Sequence, residues 1–215
     1  LAATAELAFL AVGIAVLVGI PVGILSATRP NSLFDNIAMI GALSGIGMPA
    51  FWQGIMFILI FSVWLGWFPS SGRMGGLEYY VLPALTLGTR SMASIARMTR
   101  SSMLEVLQQD FIRTANAKGL SRFKVVFVHA LRNALIPVVT MIGLQFGSMM
   151  AGAVLTETIF AWPGIGRMIV EAINNKDFPL VQGTIMTFAV MYALINLVVD
   201  VTYAFLDPRL RVRYN

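Results

Sequence analysis

The sequence predicts an all-α, polytopic transmembrane helical bundle of about five spans, with one short helix held outside the membrane. Three observations carry this. The 215 residues are 58% hydrophobic and only 12% charged, against about 25% charged in an ordinary soluble domain. Several apolar runs approach the roughly 20 residues that a helix needs to cross the hydrocarbon core. Lys and Arg fall unevenly between the connecting segments, as they do when basic residues stay on the cytoplasmic side.

Taken in order, span 1 covers residues 7–25, carries no charge and stops at the turn signal Arg29-Pro30. An uncharged stretch, 36–72, is too long for one simple span. Gly45, Gly47 and Pro49 break it, since glycine and proline continue a helix poorly. The expectation is a helix near or entering the membrane over 32–46, then span 2 over 50–67. A polar, Gly-rich connection leads to span 3, which starts near Leu82 and runs on through Leu107. Span 4 is expected over 134–156, followed by a second polar connection, and span 5 over 184–205. The chain opens at Leu1 within an apolar pattern, so a further helix is expected upstream.

Under this layout one side holds Arg29, Arg97, Arg100, Arg113, Lys118, Arg122, Lys124, Arg132, Arg209, Arg211 and Arg213. The other holds Arg73, Arg167 and Lys176. Eleven against three places the segment 105–133 and the C-terminus in the cytoplasm. The formal charge of +5 therefore speaks for membrane orientation and lipid contact, not for nucleic acid. Gly19/Gly23, Gly41/Gly45 and Gly143/Gly147 have the small-xxx-small spacing of closely packed membrane helices.

The longest polar stretch, DFIRTANAKGLSRFKVVFVHALRN (110–133), has a helical logic of its own. Phe111, Ile112, Ala115 and Leu120 are expected to share one face. Gly119 suits a left-handed helix stop, and Ser121 can cap the helix that follows. Read from spacing alone, the segment is either a docking helix or a basic loop that only sets topology.

The residues also carry a resemblance. DFIRTANAKGLSRFKVVFVHALRNALIP resembles the cytoplasmic loop signature of inner-membrane permeases of ATP-binding-cassette importers, and is most similar to the dipeptide/oligopeptide/nickel group. Aligned on Gly119, the signature falls on Arg113-Thr114-Ala115 and on His129 to Arg132. It departs from the general pattern at Arg113, where an acidic residue is usual, and at Arg132, where proline is. WPGIGRMIVEAI (162–173) and INLVVDVTYAFLDPRLR (195–211) resemble the same group in order.

The resemblance implies one permease domain over 1–215 whose loop, 105–133, couples to ATPase subunits through Asp110, Arg113, Thr114, Ala115, Lys118, Gly119, Leu120, His129 and Arg132. The small Ala115 and Gly119 would let a partner surface approach closely. Implied partners are a second permease subunit, two cytoplasmic ATPase subunits that use ATP and Mg, and an external substrate-binding protein. The implied location is a bacterial or archaeal inner membrane. The cargo stays open among dipeptides, longer peptides, nickel chelates and glutathione-like molecules.

No G-x-x-x-x-G-K-[ST], H-E-x-x-H or G-x-S-x-G motif occurs, so neither the usual phosphate-cradling loop nor those catalytic arrangements are present. No cofactor is expected on this chain, and no catalytic role. With a single His and no Cys, no metal site is expected. Ionisable residues inside spans tend to mark function. Arg90 is therefore a pathway candidate, and Glu157, Trp162, Pro163, Gly164 and Gly166 are pathway or gate candidates. Asp200 is expected to pair with a basic residue such as Arg209. The competing readings are a secondary transporter or channel without an ATPase, and an intramembrane enzyme, for which no convergent catalytic group is visible.

Overall fold

In the computed structural model the residues described are 1–206, excluding the side chains of 150, 151, 195, 199, 200 and 202–206. The expected pairing of Asp200 with Arg209 lies outside them. Every regular element among the described residues is helical: α1 (Ala2–Thr28), α2 (Leu33–Gly47), α3 (Ala50–Phe57), α4 (Glu78–Leu107), α5 (Asp110–Ala117), α6 (Leu131–Ile159), α7 (Ile165–Asn174) and α8 (Phe178–Leu206). A π-helical segment, Ile58–Trp64, extends α3, and another, Lys124–Ala130, leads into α6.

Helices α1 and α4 form the spine. They pack closely because each lacks side-chain bulk where the other comes nearest. A Cβ on Gly19 would stand 2.8 Å from the Met92 carbonyl oxygen, one on Gly23 2.5 Å from Thr99, and one on Gly88 2.8 Å from the Ala11 carbonyl oxygen. Small residues thus turn backbone proximity into dispersion contact, the main attraction left between helices in lipid. Ala3, Leu7, Ala11 and Ala15 of α1 join Ala84, Leu87 and Ile95 of α4, Val138, Met149 and Ala153 of α6, and Trp162 in one core. A second core gathers Ile24, Ala27, Met103, Val106, Ile112, Ala115, Val125, Val126, Ala130 and Ala134 at the opposite end.

Among the described residues, three helical stretches are long and apolar enough to cross a membrane: Ala2–Thr28, Lys124–Met149 and Phe178–Val198. The pair Leu33–Gly47 and Ala50–Trp64, bent by 111°, makes a fourth if taken as one broken span. By length and composition the molecule is thus a polytopic bundle of three, or up to four, apolar spans, below the five expected. The shortfall is α4: its 30 residues reach about 45 Å, but Arg90, Arg97, Arg100, Glu105 and many hydroxyl groups lower its apolarity. Proline sits inside α1, α4 and α6 at Pro21, Pro83 and Pro137, which membrane helices tolerate because neighbours re-satisfy the freed carbonyls.

Boundaries differ from expectation in physically simple ways. The break at Met48-Pro49 falls as foreseen: Met48 is extended, its N–H bonded to the Ser44 carbonyl, and Pro49 caps α3. Helix α8 begins at Phe178, six residues before the apolar run at 184. The second polar connection holds a helix, α7, with an apolar face that includes buried Ile165 and Ala172.

Candidate functional site

The first candidate region is the loop at the α5 end. Gln109 precedes the helix in extended conformation, and Asp110 stands in the first turn of α5, where a negative charge opposes the helix dipole favourably. The helix closes as the sequence predicts. Gly119 is left-handed (φ +74°); its N–H donates to the Asn116 carbonyl, and the Leu120 N–H donates to the Ala115 carbonyl. This is the two-bond stop that favours glycine and brings an apolar residue back onto the helix. Leu120 packs against the second core. Ser121 sits just before the next helical turn, its carbonyl accepting from the Val125 N–H.

Two expectations about faces are corrected. Ala115 is buried, 6% exposed, with Ile112 at 2%, so it packs on the chain's own core and is not open to a partner. Its 100° per residue of helical rotation from Ile112 brings it to the inner face. Phe111 does not share that face and is 39% exposed. The exposed surface of α5 and its stop comprises Asp110, Phe111, Arg113, Thr114, Asn116, Ala117, Lys118 and Gly119. Arg113 lies 3.5 Å from Asp110. His129 is half-buried in the π-helical segment, and Arg132 is exposed.

The second region is a polar cavity of about 400 Å³ at the α2–α3 break. Gln53, Thr86, Arg90, Ser91, Gln145 and Ser148 supply its polar wall. Arg90 is exposed and makes no ion pair with a described residue, so the structural pairing considered for it is not found there. The liners other than Arg90 escaped the sequence reading. Their signal, polar side chains inside otherwise apolar helices, was present, but only the fold shows that they converge.

The third region lies at the opposite end of the bundle. Glu157 is fully buried, neither interfacial nor on the wall of that cavity. One carboxylate oxygen accepts from the Arg167 N–H at 3.1 Å, in the first turn of α7. Gly164 and Gly166 make the room: a Cβ on Gly164 would stand 2.1 Å from the Glu157 carboxyl group, and one on Gly166 2.5 Å from Val154 Cα. Trp162 is buried and donates from Nε1 to the Ala3 carbonyl at 2.9 Å, while the Ile165 N–H donates to Thr4 Oγ1. Arg73 bridges Glu6 and Tyr80 and stacks 5.5 Å from the Trp162 ring. Pro163 is exposed. These residues therefore staple α7 and its loop to the start of α1.

Sequence reasoning missed one further cluster. Asp35, 1% exposed, accepts two bonds from Arg100, Nε to Oδ1 at 2.6 Å and Nη2 to Oδ2 at 2.7 Å, and a third from the Asn31 N–H. Ser32 Oγ accepts from the Asp35 N–H, a reciprocal capping arrangement. The Ser-x-x-Asp spacing was legible; the partner 65 residues away was not. Close by, Arg122 donates to the Thr28 carbonyl at 2.8 Å.

Comparison with known proteins places this geometry. Residues 19–212 match the family described as binding-protein-dependent transport system inner membrane component. The chain is 47% identical to a di/tripeptide transport system permease protein, DppB, of Pseudomonas aeruginosa, over 97% of this chain and 70% of that protein. It is 47% identical to the glutathione transport system permease protein GsiC of Escherichia coli strain K12, over 93% and 65% respectively. Among solved structures, the inward-facing MetNI methionine ABC transporter superposes with a TM-score of 0.78 at 18% identity, covering 95% of this chain and 93% of that one. An amino acid ABC transporter gives 0.74 at 16% identity, covering 95% and 91%. The latter two establish shared fold. The chain belongs to the family of binding-protein-dependent transport system inner membrane components and is a permease subunit of an ATP-binding-cassette importer.

Proposed function

We propose that this chain forms half of the translocation pathway for peptides or similar small solutes and takes its driving force from cytoplasmic ATPase subunits. The observation that carries this is the match to the family over residues 19–212, together with a rigid, stopped helix, α5, seated on the core that α1, α4 and α6 share. A helix so seated transmits displacement, whereas a mobile loop would absorb it. Arg113, Thr114, Lys118 and Gly119 present the docking face, with Asp110 at its start. Leu120 anchors the stop, Ala115 seats the helix on the core, and His129 and Arg132 border the helix that follows.

In this reading α4 is the fifth span. Its polar stripe faces the pathway and a second permease subunit, which removes it from lipid. The loop 105–133 and the C-terminus lie in the cytoplasm, and the α7 region faces the external binding protein. ATP and Mg are used by the ATPase pair. The Glu157–Trp162–Gly164–Gly166 cluster positions the external loop, with Pro163 exposed upon it. Arg90 borders the cargo route.

The test is reconstitution. The importer, assembled in liposomes with its ATPases and binding protein, is expected to accumulate dialanine only when ATP and Mg are supplied to the ATPase side. Uptake driven by an imposed ion gradient without ATPase subunits would instead establish a secondary transporter.

A further inference from the structure

We propose that α4 carries a two-step cationic track for carboxylate-bearing cargo, with Arg90 and Arg97 as successive anion-binding positions; this rests on the importer reading above. Residues 90, 94, 97 and 101 fall within a narrow arc of one helix face, because four and seven residues each return close to whole turns. Arg90 and Arg97 are thus separated by about 10 Å along the axis. Two cavities open on this face. One, of about 400 Å³, is bordered by Arg90, Ser91 and Ser94; the next, of about 440 Å³, by Ser94, Arg97 and Ser101. They share Ser94 and Ile46, so the second continues the first. Each volume falls in the range of roughly 300–1,000 Å³ typical of small-ligand sites.

The charge on this track is one-sided. Among the described residues, neither cavity is lined by Asp or Glu. Three arginines punctuate the middle of α4, and their treatment differs. Arg100, about 80° round the helix from Arg90, is held by two bonds to buried Asp35. Arg90 and Arg97 are both exposed and make no ion pair with a described residue. Arg100 also borders the second cavity, but its charge is met by Asp35, whereas Arg90 and Arg97 meet no acidic partner among the described residues. A guanidinium in a membrane protein belongs in a water-filled cavity or against an anion, and its planar fork matches a carboxylate. A free peptide C-terminus would meet Arg90 first, then Arg97, with Ser94 between them as a neutral hydrogen-bonding step.

The chain has no cysteine, so Ser94→Cys is a clean reporter between the two arginines. In the assembled importer, held in phosphatidylcholine nanodiscs, labelling is read on this chain alone. After correction for intrinsic reactivity, the cysteine is expected to react about fivefold faster with a sulfonate-bearing methanethiosulfonate than with a trimethylammonium one. Adding Arg90→Gln or Arg97→Gln should lower that ratio, and Lys at either position should keep it. Dialanine should slow the labelling, and dialanine amide at equal concentration should not. Equal rates for the two reagents, or equal protection by the acid and the amide, would overturn the track. A ratio that follows lipid charge when phosphatidylglycerol replaces phosphatidylcholine would assign the arginines to headgroup phosphates and would also overturn it. ATP-driven uptake is measured on the same purified importer reconstituted in liposomes: uptake without the anion preference removes the track alone, and the preference without ATP-driven uptake removes the importer reading alone.

Discussion

At the level of single residues, Gly119 separates two effects that a sequence cannot. Nothing lies within 4 Å of a Cβ placed on it, yet its φ of +74° is one that side chains rarely adopt. Substitution therefore acts through the backbone, and through any partner docked on it, not through a clash within the chain. Asparagine visits this region more readily than other residues with a side chain. Gly119→Leu is expected to leave the permease inserted while abolishing ATP-driven uptake; Gly119→Asn should retain a substantial part. If both variants lose ATPase association equally, contact and not conformation is the requirement; if both transport normally, α5 has no coupling role. Gly164 offers the opposite case, since the obstacle there is a carboxyl group 2.1 Å from the added Cβ. Gly164→Ala should lower thermal stability by roughly 1–3 kcal/mol, measured as loss of monodisperse protein on heating, and Glu157→Ala in the same chain should restore part of it.

Elements show what was legible in the sequence and what was not. The break between α2 and α3, the glycine stop of α5 and close helix packing at Gly19 and Gly23 were readable, because each is set by local chemistry or by the size of one residue; that α4 is the partner there was not. The inward turn of Ala115 was not: a small residue fits equally against its own core or a partner, and only the packing of Ile112 and Leu120 decides which. The Asp35–Arg100 pair was hidden for a different reason, namely that its two halves belong to different helices. That pair joins the start of α2 to α4, while Arg122 ties the segment after α5 to the end of α1 at Thr28. Asp35→Ala is expected to cost about 2–3 kcal/mol, somewhat below the 3–5 kcal/mol of a wholly buried pair because Arg100 keeps 25% of its side chain exposed. Arg100→Gln added to Asp35→Ala should cost little more. Heating curves that show the two changes to be additive would mean that the residues do not act as a pair.

For the whole molecule, function depends on which end faces the cytoplasm. Contacts sort the chain into two ends. Glu6, Arg73, Tyr80 and Trp162 meet at one, and Ala27, Val106, Ile112 and Val125 meet at the other. The first end carries Arg73, Arg167 and Lys176, together with Glu6, Glu171 and Asp177; the second carries Arg29, Arg113, Lys118, Arg122, Lys124 and Arg132, together with Asp35, Glu105 and Asp110. By the positive-inside tendency, this excess of basic residues supports the proposal that the second end faces the cytoplasm. Introduced cysteines test it without background, as the chain contains none. Ser71, Asn175 and Ser121 are all exposed, so failure to label at any of them does not come from burial within the chain. In intact cells an impermeant maleimide is expected to modify Ser71→Cys and Asn175→Cys, and to modify Ser121→Cys only after the membrane is opened. Labelling of Ser121→Cys from outside would invert the topology. An inverted molecule would present α5 to the exterior, where no ATPase could reach it, and the coupling proposal would fail with the orientation.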